Sequence, residues 1–223
     1  MRLLVPNVVP REVIAPLVEA LRGAEFVDGR VSAEGAARSV KHVLQLPRGS
    51  AIGESGGDAI QRALLASPEF VAAVEPLRVV RPQLMRYDAG MGYGPHHDAP
   101  IFPEWPRVRA DVAVTVFLND PDEYSGGDLV VDTPEGRVSC RGPAGSALVY
   151  SAGQRHSVER VTRGSRFVAV TWVQSLLRSA EQRALLHRLG RTTARIEQNG
   201  GTPEDVEALR EIHAALLRGW AET

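Results

Sequence analysis

From about Leu77 onward the hydrophobic pattern changes period, and that change constrains the fold more than any other feature of the chain. The stretches 77–87, 111–118, 128–132, 137–140, 146–150, 157–161 and 166–174 are short and apolar or alternating. Clusters such as Asn119-Asp120-Pro121 and Ser125-Gly126-Gly127 separate them. Segments of this length punctuated by turn residues read as strands. Many short strands in succession build a β-sandwich or barrel.

Helical patterns flank this region. Residues 2–5 suit a short strand. The spacing of Val13, Leu17, Val18 and Leu21 then predicts a helix over 11–22, with Pro16 inside it and Gly23 just past its end. Residues 40–46 alternate loosely and are expected as a strand. A second helix is expected over 58–66, with Ile60, Leu64 and Leu65 as its apolar side. After the strands, Ser179 is a helix cap with Gln182 three residues on, and that helix runs to about Gln198. Asn199-Gly200-Gly201 breaks it. Thr202 caps a last helix, with Pro203 at its first position. Val206, Leu209, Ile212, Leu216 and Trp220 give this helix an apolar side, expected to pack on the same chain, with a homodimer through the C-terminal helices as the alternative. The expected division is therefore 1–76 as a supporting region, 77–176 as a core, and 177–223 as a helical extension.

Composition narrows the function classes. With 43% hydrophobic and 24% charged residues among 223, the chain can bury a core of ordinary size. A net charge of −1 gives no global field to draw in nucleic acid or an anionic membrane, so neither is expected as a partner. The first residues are interrupted by Pro6, Pro10 and Pro16, so neither a signal peptide nor a membrane span is expected. Cys140 is the lone cysteine and cannot form an internal disulfide, which fits a cytoplasmic location.

The chemistry lies in a sparse set of polar residues within the strand region. His96 and Asp98 are two positions apart, and in a strand such residues point to one face while His97 points away. His156 begins a later strand, which antiparallel pairing could bring alongside. Two histidines and a carboxylate form the three-ligand face used for non-heme Fe(II), which leaves metal positions open. Arg166 heads the strand 166–172, where alternation groups it with Val168, Val170 and Trp172. A cation on an apolar face needs an anionic partner, since an unpaired buried charge is expensive. A bidentate fork for a carboxylate is the functional reading of that arginine.

Tyr87-Asp88-Ala89-Gly90-Met91-Gly92-Tyr93-Gly94-Pro95-His96-His97-Asp98 resembles the PKHD-type hydroxylases, in the prolyl 4-hydroxylase-like branch of the Fe(II)/2-oxoglutarate dioxygenases. So do Thr115 to Pro121, Tyr124-Ser125-Gly126-Gly127-Asp128-Leu129, Val161 to Arg166, and the tail through Gln182-Arg183-Ala184-Leu185-Leu186. The resemblance implies an α+β, mainly β fold: a double-stranded β-helix (jelly roll) with flanking N-terminal helices and a C-terminal helical extension. It implies His96, Asp98 and His156 as iron ligands and Arg166 as the partner of the distal carboxylate of 2-oxoglutarate. Tyr87 matches a position that hydrogen-bonds the cosubstrate, and Tyr93 matches one near the metal and substrate. O2 is the oxidant, and ascorbate is the reductant that goes with such a site. The expected substrate is a small molecule or a peptidyl side chain.

The chain departs from that family at the segments around the expected mouth. His97 stands between the two ligands, and His42 and Val43 follow Lys41. The stretch 100–107 carries Trp105 between Pro103 and Pro106, and 151–155 differs from a serine-rich run. His97, Trp105 and Tyr93 are therefore the candidate substrate contacts, and the expectation is retained chemistry with a diverged substrate. Two other classes compete. A non-catalytic jelly-roll sensor would bind 2-oxoglutarate without consuming it. A metal-dependent hydrolase or isomerase on a cupin-like barrel would need neither O2 nor Arg166.

Overall fold

In the computed structural model, residues 2–103 and 106–223 are described. Two antiparallel sheets dominate them. The larger, with eight strands among the described residues, runs in the order Arg2–Val5, Ala147–Ser151, Val112–Phe117, Ser165–Ser175, Gln83–Asp88, Leu44–Gln45 and Val27–Asp28. Pro76–Val79 also pairs with the long strand Ser165–Ser175. The smaller sheet, with five, runs Gly136–Cys140, Leu129–Thr133, His156–Val158, Gly92–His96 and Lys41–His42. Strands from the first 76 residues thus extend both sheets.

The larger sheet is covered on both faces, which is why Val112–Phe117 is apolar except for Thr115 and every residue in it is buried. One core lies between this sheet and the helices. There Ile14, Leu17, Val18, Leu21, Ile60, Leu64 and Phe70 meet Val114, Val116, Val149 and Phe167. The other core lies between the sheets, where Met85, Tyr87, Phe117, Tyr150 and Val168 meet Leu129, Val131 and Val158. The strand Ser165–Ser175 serves both cores. Phe167, Ala169 and Val173 face the helices, while Val168 faces the smaller sheet.

Several expectations change at their boundaries. The predicted 58–66 helix starts earlier, as Ala51–Ala66, because Ser50 caps it by accepting from the Gly53 N–H at 3.2 Å. Three glycines in its first half hide it from a propensity reading. Gly56 is there for space, since a Cβ would stand 2.7 Å from Leu17 Cδ1. A helix over Pro68–Val74 follows that was not expected, capped by Ser67 with Pro68 in the first turn. The predicted 40–46 strand is two short strands in different sheets, Lys41–His42 and Leu44–Gln45. The 77–87 strand divides into Pro76–Val79 and Gln83–Asp88, separated by a stretch holding Pro82. The 157–161 strand divides into His156–Val158 and Val161–Arg163. In helix Arg11–Arg22 the buried face carries Ile14, with Val13 only partly covered.

The C-terminal helices are Ala180–Gln198 and Pro203–Trp220, capped by Ser179 and Thr202 as the sequence predicts. They pack on each other. Buried Arg183 ties the first to the sheet region, donating to the carbonyls of Leu177 (2.5 Å) and Arg178 (2.9 Å). Of the apolar side of the last helix, Val206 is buried and Ile212 is 50% exposed. No described helix is long and apolar enough to cross a membrane.

Phe70 is wholly buried and links the short helix to the large sheet's core. Phe70→Ala should lower unfolding stability by about 3–5 kcal/mol, measured by urea denaturation.

Candidate active site

The strands Gly92–His96 and His156–Val158 pair antiparallel, with His96 directly opposite His156. Asp98 lies just beyond the first strand and returns its carboxylate to the same face. His96 Nε2 is 3.9 Å from Asp98 Oδ1, and His156 Nε2 is 3.7 Å from that oxygen. One donor atom from each of the three residues lies within 4.8 Å of the others. The register thus brings together the three residues that the sequence singled out.

Both imidazoles are fixed by their own backbone. His96 Nδ1 lies 2.8 Å from the Gly94 carbonyl oxygen, and His156 Nδ1 lies 3.0 Å from that of Gln154. A carbonyl oxygen only accepts, so each Nδ1 carries the proton and each Nε2 presents a lone pair. Burial and the neighbouring His156 pull His96 down to about 3, so it is neutral at physiological pH. Burial pushes the Asp98 carboxyl up, opposed by His156, by the Trp172 hydrogen bond and by Lys41. Two imidazoles and one carboxylate on a single face fit a divalent metal with open positions.

Trp172 is a site residue whose role the sequence reading missed. Its indole Nε1–H donates to Asp98 Oδ2 at 2.9 Å, which leaves Oδ1 as the oxygen nearest both histidines. The ring is held against Phe102, with centroids 4.4 Å apart. Alternation from Arg166 placed Trp172 on the correct face, but nothing local named its acceptor.

Arg166 is 1% exposed, and among the described residues its Nε and Nη2 have no hydrogen-bond partner. Its guanidinium carbon lies 5.1 Å from the centre of the Tyr87 ring and 5.8 Å from that of Phe117. Tyr87 is its cross-strand neighbour in register. Burial raises the Tyr87 phenol, and Arg166 opposes that shift. Gly127 makes room for the arginine, because a Cβ there would stand 3.0 Å from Arg166 Cδ. Its φ of +71° also suits glycine best. That steric need gives the Gly126-Gly127 pair a physical meaning.

A cavity of about 1170 Å³ connects these groups, lined by His96, Asp98, His156, Arg166, Tyr87 and Tyr93 among others. Tyr93 stacks on His96 with ring centroids 3.5 Å apart. His97 is exposed at the cavity's edge, with Nδ1 3.2 Å from the Gly153 carbonyl. Trp105 lies outside the described residues. Asp128 serves the structure, accepting from Ser139 Oγ at 2.8 Å and Arg141 Nε at 2.6 Å. Lys41 was quoted in the sequence only as a landmark, yet it is buried and lines this cavity.

Comparison with known proteins agrees with this arrangement. Residues 82–174 match the 2OG-Fe(II) oxygenase superfamily. A PKHD-type hydroxylase of Methylobacterium nodulans is 42% identical over 223 residues, with 98% of each chain covered. One from Beijerinckia indica is 38% identical over 221 residues, again with 98% of each covered. The chain belongs to the PKHD-type hydroxylases. Two solved structures share the fold at low identity. A Trichoplax adhaerens prolyl hydroxylase in complex with a hypoxia inducible factor peptide fragment aligns with TM-score 0.54 and 14% identity, covering 82% of this chain and 86% of that one. HygX from Streptomyces hygroscopicus, with nickel, 2-oxoglutarate and hygromycin B bound, aligns with TM-score 0.54 and 14% identity, covering 79% and 84%. This PKHD-type hydroxylase is thus an oxidoreductase of the 2-oxoglutarate- and iron-dependent class, with large antiparallel sheets similar to those of its relatives.

Trp172→Phe would keep the ring against Phe102 and delete the indole N–H that donates to Asp98 Oδ2. Divalent-metal affinity should fall about 10–100-fold, read by anaerobic Fe(II) or Mn(II) titration.

Proposed function

We propose that this chain hydroxylates an unactivated C–H bond, with His96, Asp98 and His156 holding Fe(II) and Arg166 gripping the distal carboxylate of 2-oxoglutarate. The observation that carries this reading is the buried guanidinium of Arg166, with Nε and Nη2 unpartnered among the described residues, in the same cavity as the His-Asp-His cluster. When bound, Fe(II), 2-oxoglutarate and O2 together supply the oxidation: succinate and CO2 form, and one oxygen atom enters a substrate C–H bond. Ascorbate is the proposed reductant for iron that oxidises between turnovers. We infer that the two facing sheets form a double-stranded β-helix, supported by strands from 1–76, centred on 77–176 and extended by 177–223.

The protein's contribution is orientation and exclusion. His96 and His156 offer their Nε2 atoms without losing a proton, because each Nδ1–H is already donated to a backbone carbonyl. Asp98 contributes negative charge, with one oxygen held by Trp172. Arg166 has two N–H-bearing nitrogens free for a carboxylate, in a dry setting where charge-assisted hydrogen bonds are strong. Tyr87, opposite Arg166 in register, flanks that carboxylate site. Fixing one end of the cosubstrate limits the orientations open to its other end, which is a large part of what an enzyme adds to such chemistry. The peptide and the antibiotic named with the two solved relatives support either a peptidyl or a small-molecule substrate here.

Anaerobic titration with Fe(II) and 2-oxoglutarate should develop a weak visible charge-transfer band. Admitting O2 should bleach it and yield succinate. His96→Ala should abolish both signals. Arg166→Ala should weaken 2-oxoglutarate binding by at least about 100-fold, as expected for losing two charge-assisted hydrogen bonds worth roughly 1.5–3 kcal/mol each. Unchanged 2-oxoglutarate affinity in that variant would remove Arg166 from its role. Binding without succinate formation in air would favour the sensor reading.

A further inference from the structure

We propose that Lys41 is an anion-recognition residue of the substrate site, so that the substrate presents a carboxylate or similar anionic group beside an apolar body. This inference rests on the Fe(II)/2-oxoglutarate reading of the same cavity and adds the class of the second ligand.

Lys41 is only 6% exposed. It lies on the edge strand of the smaller sheet, in register with Tyr93 on the strand that carries His96. Its ammonium donates to Ser32 Oγ at 2.8 Å, and Ser32 in turn donates to the Gln45 side-chain oxygen at 2.6 Å. The aromatic face of Tyr93 lies 5.4 Å from Nζ, and Tyr93 also stacks on His96. Among the described residues Lys41 makes no ion pair. Its nearest acidic influences are Asp98, which belongs to the His-Asp-His cluster, and Asp28, which is held by Arg30. An ammonium has three protons to donate, and a neutral hydroxyl takes one of them.

The stem is held in place. Gly29 leaves the space it needs, since a Cβ there would stand 3.2 Å from Lys41 Cε. A purely structural role would be served by Met or Leu at this position without burying a cation. Burial does pull Lys41 down, to about 8, yet at neutral pH the protonated form still dominates.

Charge balance points the same way. A divalent metal, Arg166 and Lys41 set against Asp98 leave the chamber with three net positive charges. The two carboxylates of 2-oxoglutarate neutralise two of them. One positive charge is left, and Lys41 is the cation that the cosubstrate's proposed contacts do not use. The same cavity is lined by Val31 and Ile101, which are 68% and 46% exposed, and by Phe102 and Pro103. The charged residues elsewhere in the lining, Glu34, Glu54, Arg48 and Arg81, are exposed and sum to no net charge. The surface offered to a substrate therefore combines one buried cation with apolar side chains and a margin whose exposed charges cancel.

The test uses full-length protein loaded with Zn(II) and saturated with 2-oxoglutarate, so no turnover is involved. N-acetyl-leucine and its neutral amide are titrated as matched probes, with binding read by NMR chemical-shift changes. The acid should bind at least tenfold more tightly than the amide. Lys41→Met should bring the two within about twofold, while Lys41→Arg keeps the preference. Circular dichroism of both variants checks folding. Equal binding of the probes, no binding of either, or an acid preference that survives in Lys41→Met overturns the proposal. 2-Oxoglutarate affinity is measured on the same samples. Its absence in the wild-type protein sinks the cosubstrate reading, whereas intact 2-oxoglutarate binding without an acid preference sinks the Lys41 assignment alone.

Discussion

The antiparallel register between Gly92–His96 and His156–Val158 governs the rest of the site. It sets His96 across from His156 and leaves Asp98 free to curl back toward both. A slip of one residue would turn His97 inward and His96 out, because side chains alternate along a strand. The neighbouring strands resist that slip. Leu129–Thr133 holds His156 opposite Val131, and Lys41–His42 holds the other edge through Lys41 and Tyr93. The inward positions of these strands also supply Leu129, Val131 and Val158 to the core between the sheets. Shifting the register would expose that apolar set along with the histidines, so packing and the metal-ligand geometry are specified by one constraint.

That arrangement places charges where water is scarce. Arg166 is buried and Asp98 mostly so, and among the described residues two nitrogens of Arg166 have no acceptor. Such groups cost stability in the unliganded protein. The helix-side core lies on the opposite face of the large sheet and contains none of them, so it can hold the fold while the inter-sheet side stays polar. Ligands that neutralise the chamber bind the folded state alone and must therefore stabilise it, in proportion to how far their concentration exceeds their dissociation constants.

Much of this was legible in the sequence, for physical reasons that can be named. The strand pattern was readable from alternation, whereas His96, Asp98, His156 and Arg166 were readable from their combination within motifs that resemble a known family, since a His-x-Asp spacing alone says little. The C-terminal helices were readable from their caps, Ser179 and Thr202. The helix starting at Ala51 was hidden by glycines kept for close packing, a reason visible only once Leu17 is seen against Gly56. The division of 40–46 between two sheets was hidden because local alternation says nothing about which sheet receives a strand. Trp172 and Lys41 were missed as functional residues for a related reason. Their meaning lies in partners far along the chain, Asp98 for one and Ser32 with Tyr93 for the other.

The long strand Ser165–Ser175 explains how such distant residues are kept in a fixed relation. Arg166 and Trp172 lie on its inward face six positions apart, about 20 Å of extended chain. Arg166 serves the proposed carboxylate grip and Trp172 holds a proposed metal ligand. Both ends must keep their spacing if a short dicarboxylate is to bridge cation and metal. The strand is paired along both edges, to Val112–Phe117 on one side and Gln83–Asp88 on the other, and its outward residues are locked into the helix-side core. Its neighbours are also shaped to each end: Tyr87 stands opposite Arg166, and the small Ala113 stands opposite the bulky Trp172. A rigid, doubly supported strand holds functional side chains more accurately than a loop can. Residues at the cavity mouth, on short strands and turns, can then change without disturbing that spacing.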